Sequence, residues 1–473
     1  MLNIPDYQNA AKVFYFFEEI SKIPHTSTNT SKIADYIENF AKSRSLWYRR
    51  DSANNVIIRK PATKGYESRP TVIFQGHTDM VADKVKNCPI DMNKEGLKIY
   101  RDGDFIRAEG TTLGGDDGVA IAYALAVLDS DDIEHPEFEA LFTSDEEIGL
   151  IGAAALDASE LHGKTMINID SDAEGIFTVG CAGGMRMDVT LPYTRNEESE
   201  NIYRISVSGL QGGHSGTEID KGRENAIKIL AEIMGNSGEI NLAEISGGNA
   251  DNAIPRFAEC NIALESDAWI KENLIPAVIK KYCNAEPDIK ISIEPLNSKS
   301  CVYDVKKTAN IIKFIKKMPT GVYNMSPDIP GLVETSSNLG IVNTEGGRVT
   351  LSVSLRSSKN EKKESLRLLV SALAKEYLAE VSEKGAYSAW EYKNDSHLRD
   401  VMRKVYVTEY GKEPEIVTIH AGLECGIFSE KIDGLDCVSI GPDNFDIHTT
   451  DERLSISSTA RVWEYLKKVL KEI

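Results

Sequence analysis

The sequence predicts an α/β fold in which a discontinuous domain, with a mostly parallel sheet flanked by helices, is interrupted by an inserted α+β domain. Three observations support this prediction. The 473 residues exceed the usual size of a single domain. The beginning and the end of the chain alternate apolar strand-like and helix-like segments, as an α/β layer does. Between them, the strand-like segments alternate apolar and polar residues, which is typical of half-exposed strands.

The first part of the chain contains four strand-like segments and one conspicuous helix. The strands are predicted at 56–59, 71–75, 139–143 and 166–169, and the helix at 118–128, with the sequence GVAIAYALAVL. The order of these segments is the one that βαβ units require.

The middle part is predicted to hold half-exposed strands at 187–191 and 202–207 and amphipathic helices at 222–234 and 361–378. The alternation of strand-like and helix-like segments then returns, with a helix at 400–410, strands at 416–419 and 437–440, and a closing helix at 457–470. We therefore assign 1–184 and 391–473 to the discontinuous domain and 185–390 to the inserted domain.

The composition argues against two classes of partner. The chain has 54 Lys and Arg against 73 Asp and Glu, a net charge of −19, which gives no general support for binding phosphate backbones. No segment approaches the roughly 18 uninterrupted apolar residues of a membrane helix. We expect neither nucleic acid nor a membrane as a partner.

Cysteine usage and the N-terminal segment indicate an intracellular protein. The seven cysteines are scattered and never form a CxxC pair, so we expect neither a disulfide framework nor a Cys-ligated zinc site. The first 24 residues show helical apolar spacing and lack the basic start of a signal peptide. We expect a cytoplasmic protein.

Candidate ligands follow the predicted strands. His77 and Asp79 end one strand, and the run 145–147 (DEE), Asp170 and His448 follow others. Asp116 and Asp117 directly precede the small-residue helix, and Asp172 follows Asp170 by two residues. Each signal has an ordinary alternative: a surface His–Asp pair, a helix N-cap or a solvated acidic loop. Because strand ends of an α/β sheet meet at one edge, the whole series favours a binding site.

The residue types favour metal. Two His and three carboxylates without Cys suit two divalent cations of zinc type, one carboxylate bridging them, whereas one catalytic zinc needs only three protein ligands. Asp79 stands two residues from His77, a spacing that suits a carboxylate orienting a metal-bound imidazole.

Nine motifs in order carry a family resemblance through nearly the whole chain. They are HTDMV at 77–81, GTTLGGDDG at 110–118, SDEEIGLIGA at 144–153, NIDSDAEG at 168–175, GGHSG at 212–216, NAIPR at 252–256, PGLVETSSNLG at 330–340, HAGLECG at 420–426 and DIHTTDERL at 446–454. The set resembles the dinuclear-zinc peptidase family that includes peptidase T, carnosinases, glutamate carboxypeptidase and aminoacylases. PGLVETSSNLG and HAGLECG resemble its aminoacyl-histidine (β-alanyl-histidine) dipeptidase branch.

The resemblance implies a role for each candidate ligand. His77 and Asp170 would hold one Zn²⁺, Glu147 and His448 the other, with Asp116 bridging the two. Co²⁺ and Mn²⁺ are candidate substitutes.

It also assigns roles next to the ligands. Glu146 would be the general base and Asp79 the residue that orients His77, while Asp117 and Asp145 would be structural. The resemblance further implies a cis peptide bond between Asp116 and Asp117.

In the inserted domain, the resemblance points to substrate contacts. His214 would stabilise the oxyanion from the partner subunit of a homodimer formed through 185–390, the alternative being an ordinary turn histidine. Asn252 and Arg356 would bind the C-terminal carboxylate of the substrate, the alternative for Arg356 being a surface ion pair. His420 would line the specificity pocket or support the metal-binding loop. The inserted domain would thus act as a lid and dimerisation domain on a zinc-binding catalytic domain.

The resemblance therefore implies a zinc-dependent dipeptidase that cleaves small unblocked dipeptides of the Xaa-His or β-alanyl-His type. A hydroxide bridging the two metals would attack the peptide carbonyl while Glu146 transfers the proton. An N-acyl amino acid deacylase or a tripeptidase would use the same metal set, and an inactive metal-binding scaffold protein is the alternative outside enzymes.

Overall fold

The computed structural model describes residues 2, 4–296, 298–327 and 329–473. The chain divides into two compact units. The first comprises Met1–Cys181, Tyr392–Thr418 and Leu423–Ile473, and the second comprises Ala182–Glu391 and Ile419–Gly422. The first unit is therefore discontinuous in sequence.

Eleven α-helices are present in the described residues. They are α1 (Ala11–Ser21), α2 (Ser31–Ser43), α3 (Gly115–Leu128), α4 (Ile151–Ala155), α5 (Ala226–Asn236), α6 (Ile275–Tyr282), α7 (Val305–Lys317), α8 (Asn360–Glu376), α9 (His397–Tyr410), α10 (Glu424–Lys431) and α11 (Ile456–Glu472). None of them is long and apolar enough to cross a membrane.

The strands of the first unit come from both ends of the chain. The N-terminal strands are β1 (Trp47–Arg50), β2 (Val56–Lys60), β3 (Val72–His77), β4 (Ile99–Asp102), β5 (Phe105–Ala108), β6 (Phe138–Thr143), β7 (Thr165–Asn168) and β8 (Ile176–Cys181). The second unit supplies β9 (Gly183–Thr190), β10 (Glu197–Ser199), β11 (Ile202–Ser208), β12 (Gly213–His214), β13 (Asn241–Gly247), β14 (Ala253–Ile254), β15 (Ala258–Ala263), β16 (Lys290–Leu296), β17 (Ser300–Val302), β18 (Gly321–Met325), β19 (Val333–Glu345), β20 (Arg348–Ser357) and β21 (Glu380–Tyr387). The chain then contributes β22 (Glu415–Ile419), β23 (Asp436–Ser439), β24 (Asn444–Phe445) and β25 (Arg453–Ser455).

The main sheet of the first unit has the strand order β1-β2-β6-β3-β7-β23-β8-β22. Its centre, β6-β3-β7-β23, is parallel, whereas β1, β2 and β8 pair antiparallel with their neighbours toward the centre. The predicted α/β class is confirmed. The sheet is mixed rather than mostly parallel, because parallel pairing is confined to its four central strands. A smaller sheet of order β24-β25-β5-β4 belongs to the same unit.

Apolar composition explains the central elements. β3 and β6 are buried along their whole length, as expected for parallel strands that are covered on both faces. Helix α3 is buried nearly all round, and its glycine and alanine residues allow close approach to α1, where Gly118 packs against Phe17 and Ile20. The predicted helix at 118–128 is confirmed and extends back to Gly115.

The second unit is built on an antiparallel sheet of order β16-β11-β15-β13-β19-β20-β9-β21, with β18 paired to β19. β9 and β11 alternate buried and partly exposed residues, which confirms the predicted half-exposed strands. The helix predicted at 222–234 begins only at Ala226, because the Asn225 side chain accepts hydrogen bonds from Ile227 N and Lys228 N and caps the helix there.

Candidate metal centre

Three parallel strands deliver the first predicted ligands to one edge of the main sheet. His77 is the last residue of β3 and lies opposite Thr143, the last residue of β6. Gln75 of β3 lies opposite Asn168, the last residue of β7. The acidic run 145–147 follows β6 and Asp170 follows β7. Because the three strands are parallel and in register, these side chains meet at the carboxyl edge of the sheet.

Asp116 occupies the middle of the cluster. Its Oδ1 lies 3.0 Å from His77 Nε2, and its Oδ2 lies 3.1 Å from His448 Nε2. The peptide bond between Asp116 and Asp117 is cis, which confirms the expectation. The Asp117 carboxylate faces the sheet and accepts a hydrogen bond from His77 N at 3.1 Å. The two adjacent acids therefore point to different partners, one to the histidine rings and one to the backbone of β3.

Glu146, Glu147 and Asp170 complete three overlapping groups of possible metal ligands. The groups are His77–Glu146–Glu147, His77–Asp116–Asp170 and Asp116–Glu147–His448, each with ligand atoms within 4.8 Å of one another. His77 Nε2 lies 3.8 Å from Asp170 Oδ1, and His448 Nε2 lies 2.9 Å from Glu147 Oε1. The five predicted ligands and the predicted base thus form one cluster.

Asp79 lies next to the cluster and contacts two of its residues. Its carboxylate lies 3.5 Å from His77 Nδ1, and its carbonyl oxygen lies 2.9 Å from the same nitrogen. The carboxylate also accepts hydrogen bonds from Glu146 N at 2.9 Å and from Ser27 Oγ at 2.8 Å. Asp79 therefore contacts both the His77 ring and the turn that carries Glu146.

The two histidines are held in an anionic environment. Burial disfavours the imidazolium of His77, but the carboxylates of Asp116 and Asp79 outweigh it and raise the pKa of His77 well above its usual value. The neighbouring carboxylates of Asp116 and Glu147 raise the pKa of His448 to about 10. In the absence of metal, the neighbouring carboxylates stabilise the protonated form of both imidazole rings. A metal ion must therefore displace those protons to bind.

Burial raises the pKa of two carboxyl groups of the cluster, those of Glu146 and Asp170. Burial raises the pKa of Glu146 to about 8, opposed by His77 and reinforced by the nearby carboxylates of Glu424 and Glu147. Burial likewise raises the pKa of Asp170 well above its usual range. In this state, Glu146 is largely protonated at pH 7, whereas nearby divalent cations would favour its carboxylate.

The donor set fits metal ions. Glu147 Oε1 is buried and has no hydrogen-bond donor of suitable geometry among the described residues. The described ion pairs of Asp116, Asp170 and Glu147 are with the two histidines rather than with Lys or Arg. A cluster of carboxylates and imidazoles that is not neutralised by Lys or Arg is a suitable binding site for divalent metal ions.

His214 lies in the second unit, at the end of the short strand β12. Its Nδ1 accepts a hydrogen bond from Thr217 N at 3.2 Å, which leaves the ring proton of the neutral form on Nε2. Burial and then Arg356 lower the pKa of His214, so the ring is neutral at pH 7. Ser215 N donates to Asn252 O at 2.8 Å, which places Asn252 beside this strand.

Arg356 and His420 also lie in the second unit. Arg356 Nη1 donates to Tyr387 Oη at 3.2 Å, while its buried Nε has no partner among the described residues. His420 Nε2 lies 2.7 Å from Ser336 Oγ. Burial, then the positive charge of Arg356, lowers the pKa of His420 to about 4. Among the described residues, no carboxylate forms an ion pair with Arg356. The structure therefore does not show the surface ion pair that was the alternative for this residue.

Glu424 is a residue near the cluster that the sequence interpretation did not single out. It is fully buried and accepts hydrogen bonds from Gln75 Nε2 at 2.6 Å and Thr143 Oγ1 at 2.7 Å. Burial raises the pKa of Glu424 to about 7. Its position within HAGLECG, directly before the uncharged segment CGIF, was the available signal, since a carboxylate in a buried segment needs hydrogen-bond partners.

Comparisons with known proteins extend over nearly the whole chain. The model of Peptidase family M20/M25/M40 matches residues 73–472. The chain is 34% identical over 470 residues to the cytosol non-specific dipeptidase of Escherichia coli (strain K12), covering 97% of this chain and 96% of that protein.

Solved structures show the same architecture. The crystal structure of aminoacylhistidine dipeptidase from Vibrio alginolyticus matches with a TM-score of 0.88 and 34% identity, covering 98% of this chain and 96% of that chain. Aminopeptidase PepT from Bacillus cereus matches with a TM-score of 0.57 and 18% identity, covering 98% of both chains. The latter similarity concerns the fold alone.

Proposed function

Because the chain belongs to Peptidase family M20/M25/M40, we propose that it is a metal-dependent dipeptidase acting on small unblocked dipeptides. The observation that carries the proposal is the cluster in which Asp116 lies between His77 and His448, with Glu146 beside it. The E. coli relative, named a dipeptidase, and the V. alginolyticus relative, named an aminoacylhistidine dipeptidase, support the substrate class.

We infer that the cluster holds two Zn²⁺ ions. His77 and Asp170 would bind one ion, Glu147 and His448 the other, and Asp116 would contribute one oxygen to each. The short distances from the two Asp116 oxygens to the two imidazoles support this division. Mixed imidazole and carboxylate ligands suit zinc, and Co²⁺ and Mn²⁺ are the proposed substitutes.

Bound divalent metal would polarise the scissile carbonyl and lower the pKa of bound water. Glu146 is proposed to accept the proton of the attacking water on its carboxylate and to donate it to the leaving amine nitrogen. Its position beside His77 and Glu147 in the cluster supports this role, because a general base must lie within reach of the water that the metal ions would bind. Asp79 would hold the turn before Glu146 through its hydrogen bond to Glu146 N.

The second unit is proposed to bind the rest of the substrate. Arg356 and Asn252 would bind the C-terminal carboxylate, and the unpartnered Nε of Arg356 supports a ligand there. His214 would donate from Nε2 to the oxyanion, which its neutral form supports. We infer a homodimer through 185–390, in which His214 acts on the substrate of the partner subunit.

Substrate preference and location are also part of the proposal. We propose dipeptides of the Xaa-His or β-alanyl-His type as substrates; the V. alginolyticus relative, named an aminoacylhistidine dipeptidase, supports the Xaa-His type, whereas the E. coli relative is named a non-specific dipeptidase. The E. coli relative, named a cytosol dipeptidase, supports a cytoplasmic location.

The proposal is tested by metal analysis together with a substrate panel. The purified protein would be assayed for Zn²⁺ content and for release of amino acids from dipeptides, tripeptides and N-acetylated amino acids. We expect about two metal ions per chain and turnover confined mainly to dipeptides. Turnover confined to acetylated amino acids would identify a deacylase, and metal binding without any turnover would identify a scaffold protein; either result overturns the proposed function.

A further inference from the structure

We propose that Glu452 is a positioning residue for the metal ligands, because its carboxylate holds the turn that presents Asp116 and joins it to the loop that presents His448. The inference rests on the proposed metal site. Glu452 itself does not reach the cluster of ligand atoms; it acts through the backbone on which two of them stand.

The carboxylate of Glu452 is buried, with 3% of the residue exposed, and binds four consecutive backbone amides. Oε2 accepts hydrogen bonds from Leu113 N at 2.7 Å and Gly114 N at 3.0 Å. Oε1 accepts from Gly115 N at 2.8 Å and Asp116 N at 3.3 Å. Each of these bonds is charge-assisted, and together they restrain the backbone up to and including Asp116.

These four amides need a partner from outside the helix. Leu113 and Gly114 precede helix α3, and Gly115 and Asp116 open it; the first amides of a helix have no carbonyl within the helix to bind. Gly114 adopts a left-handed conformation, with φ of 69°, so the turn is bent away from the helix axis just before Asp116. The buried carboxylate therefore replaces water as the acceptor for a turn that is inside the protein.

Glu452 also belongs to the loop that carries His448. The loop connects β24 to β25, whose residues pair as Asn444↔Leu454 and Phe445↔Arg453. Within the loop, Glu452 N donates to Thr449 O at 3.2 Å. One side chain thus connects the segments of two ligands that interact directly, since His448 Nε2 lies 3.1 Å from Asp116 Oδ2.

The chemistry of four amide donors requires a carboxylate. Glutamine has one acceptor oxygen, and its NH₂ group would face two backbone N–H groups that then lack an acceptor. Aspartate keeps both oxygens but is one methylene shorter, so it cannot reach all four amides without moving the loop. Both substitutions are expected to displace Asp116 relative to His448.

Glu139 provides a matched control in the same unit. It is fully buried and accepts hydrogen bonds from Gly163 N at 2.9 Å, from His162 N at 3.0 Å and from Arg59 Nε at 2.7 Å. It stands four residues before Thr143 on β6, roughly 13 Å from the ligand edge of the sheet at about 3.3 Å per residue. A Glu139→Gln variant therefore removes a buried carboxylate that binds backbone amides, together with its ion pair to Arg59, without touching a ligand segment.

The experiment compares the full-length protein with Glu452→Gln, Glu452→Asp and Glu139→Gln. Each is freed of metal, and its affinity for Zn²⁺ is measured by competition with a chromogenic chelator; the visible spectrum of the Co²⁺ form and the melting temperature are recorded in parallel. We expect Glu452→Gln to weaken Zn²⁺ binding by about 10- to 100-fold and to alter the Co²⁺ spectrum. Glu452→Asp should lie between it and the wild type.

Glu139→Gln should lower the melting temperature while keeping Zn²⁺ affinity within about twofold of the wild type, because its partners lie away from the ligands. If both Glu452 variants bind Zn²⁺ as tightly as Glu139→Gln does, Glu452 is only structural and the inference is overturned. Should Glu452→Gln not fold, the aspartate variant decides in the same way. A wild-type protein that binds Zn²⁺ but cleaves no dipeptide would overturn the proposed function and leave this comparison valid.

Discussion

His448 Nε2 lies 3.1 Å from Asp116 Oδ2, although 332 residues separate the two in the sequence. The other oxygen of Asp116 lies 3.0 Å from His77 Nε2. One carboxylate therefore contacts the two imidazoles that we assign to different metal ions, and removing it should affect both.

Asp116→Asn is expected to weaken binding of both metal ions, because the amide offers one neutral oxygen where the carboxylate offers two charged ones. We expect Zn²⁺ affinity to fall by more than about 100-fold, beyond the cost of losing a supporting residue. Chelator competition measures the affinity, and elemental analysis measures the metal content. Retention of two tightly bound ions would contradict the bridging role.

Glu146→Gln should retain metal but lose most of the activity. The amide cannot accept a proton from water, so kcat should fall by roughly 10²- to 10⁴-fold while Zn²⁺ content stays near the wild-type value. Steady-state kinetics and elemental analysis check the two parts. The matched control is Glu109→Gln, an exposed glutamate, whose kcat should be unchanged. If Glu146→Gln keeps full activity, Glu146 is not the general base.

The stability of the metal-free protein should fall as pH rises. The pKa of His448 in the folded protein is about 10, above its unfolded value near 6.5, so the folded state holds an extra proton between these values. Glu146 acts in the same direction between about 4.5 and 8. Because the folded state binds more protons, alkali favours unfolding across this range.

We expect the melting temperature of the chelated protein to drop by several degrees between pH 6 and pH 10, as measured by differential scanning calorimetry. His448→Gln should flatten the part of this decline above pH 6.5, since it removes that proton. A melting temperature that rises with pH in the chelated wild type would contradict the raised pKa values of His448 and Glu146. Affinity for Zn²⁺ should increase over the same pH range, because metal displaces the bound protons.

Arg356→Lys should impair substrate binding more than turnover. Lysine cannot form the two parallel hydrogen bonds that a guanidinium makes with a carboxylate, so KM should rise by about 10- to 100-fold with a smaller change in kcat. Arg348→Lys is the control, because Arg348 stands on the same strand β20 and pairs with Glu380 at 2.9 Å. Equal KM values for the two variants would argue against substrate binding by Arg356.

Mixing two inactive variants tests whether His214 acts across subunits. Glu146→Gln and His214→Ala protomers, combined after subunit exchange, should regain about a quarter of wild-type activity, because half of the dimers are mixed and each has one intact site. Exchange is verified by mass spectrometry with isotopically labelled protomers. Absence of regained activity in verified mixed dimers would place His214 at the site of its own subunit.

Local patterns in the sequence were sufficient for the fold class and for the types of ligand. The buried run of β3, the small-residue helix α3 and the alternating strand β9 each follow from their own periodicity. Local periodicity is informative because it records how one segment is buried. The same patterns place His77 and Asp170 at strand ends, and parallel strand ends share an edge.

Other features were decided only by the tertiary structure. The antiparallel outer strands of the main sheet and the hairpin that returns His448 to Asp116 depend on pairings between distant segments, which no local pattern records. Glu424 and Glu452 lie within the motifs HAGLECG and DIHTTDERL, but the groups that they bind become identifiable only from the structure. The sequence by itself determined which residues could hold metal, whereas packing of distant segments determined which of them meet and what holds them there.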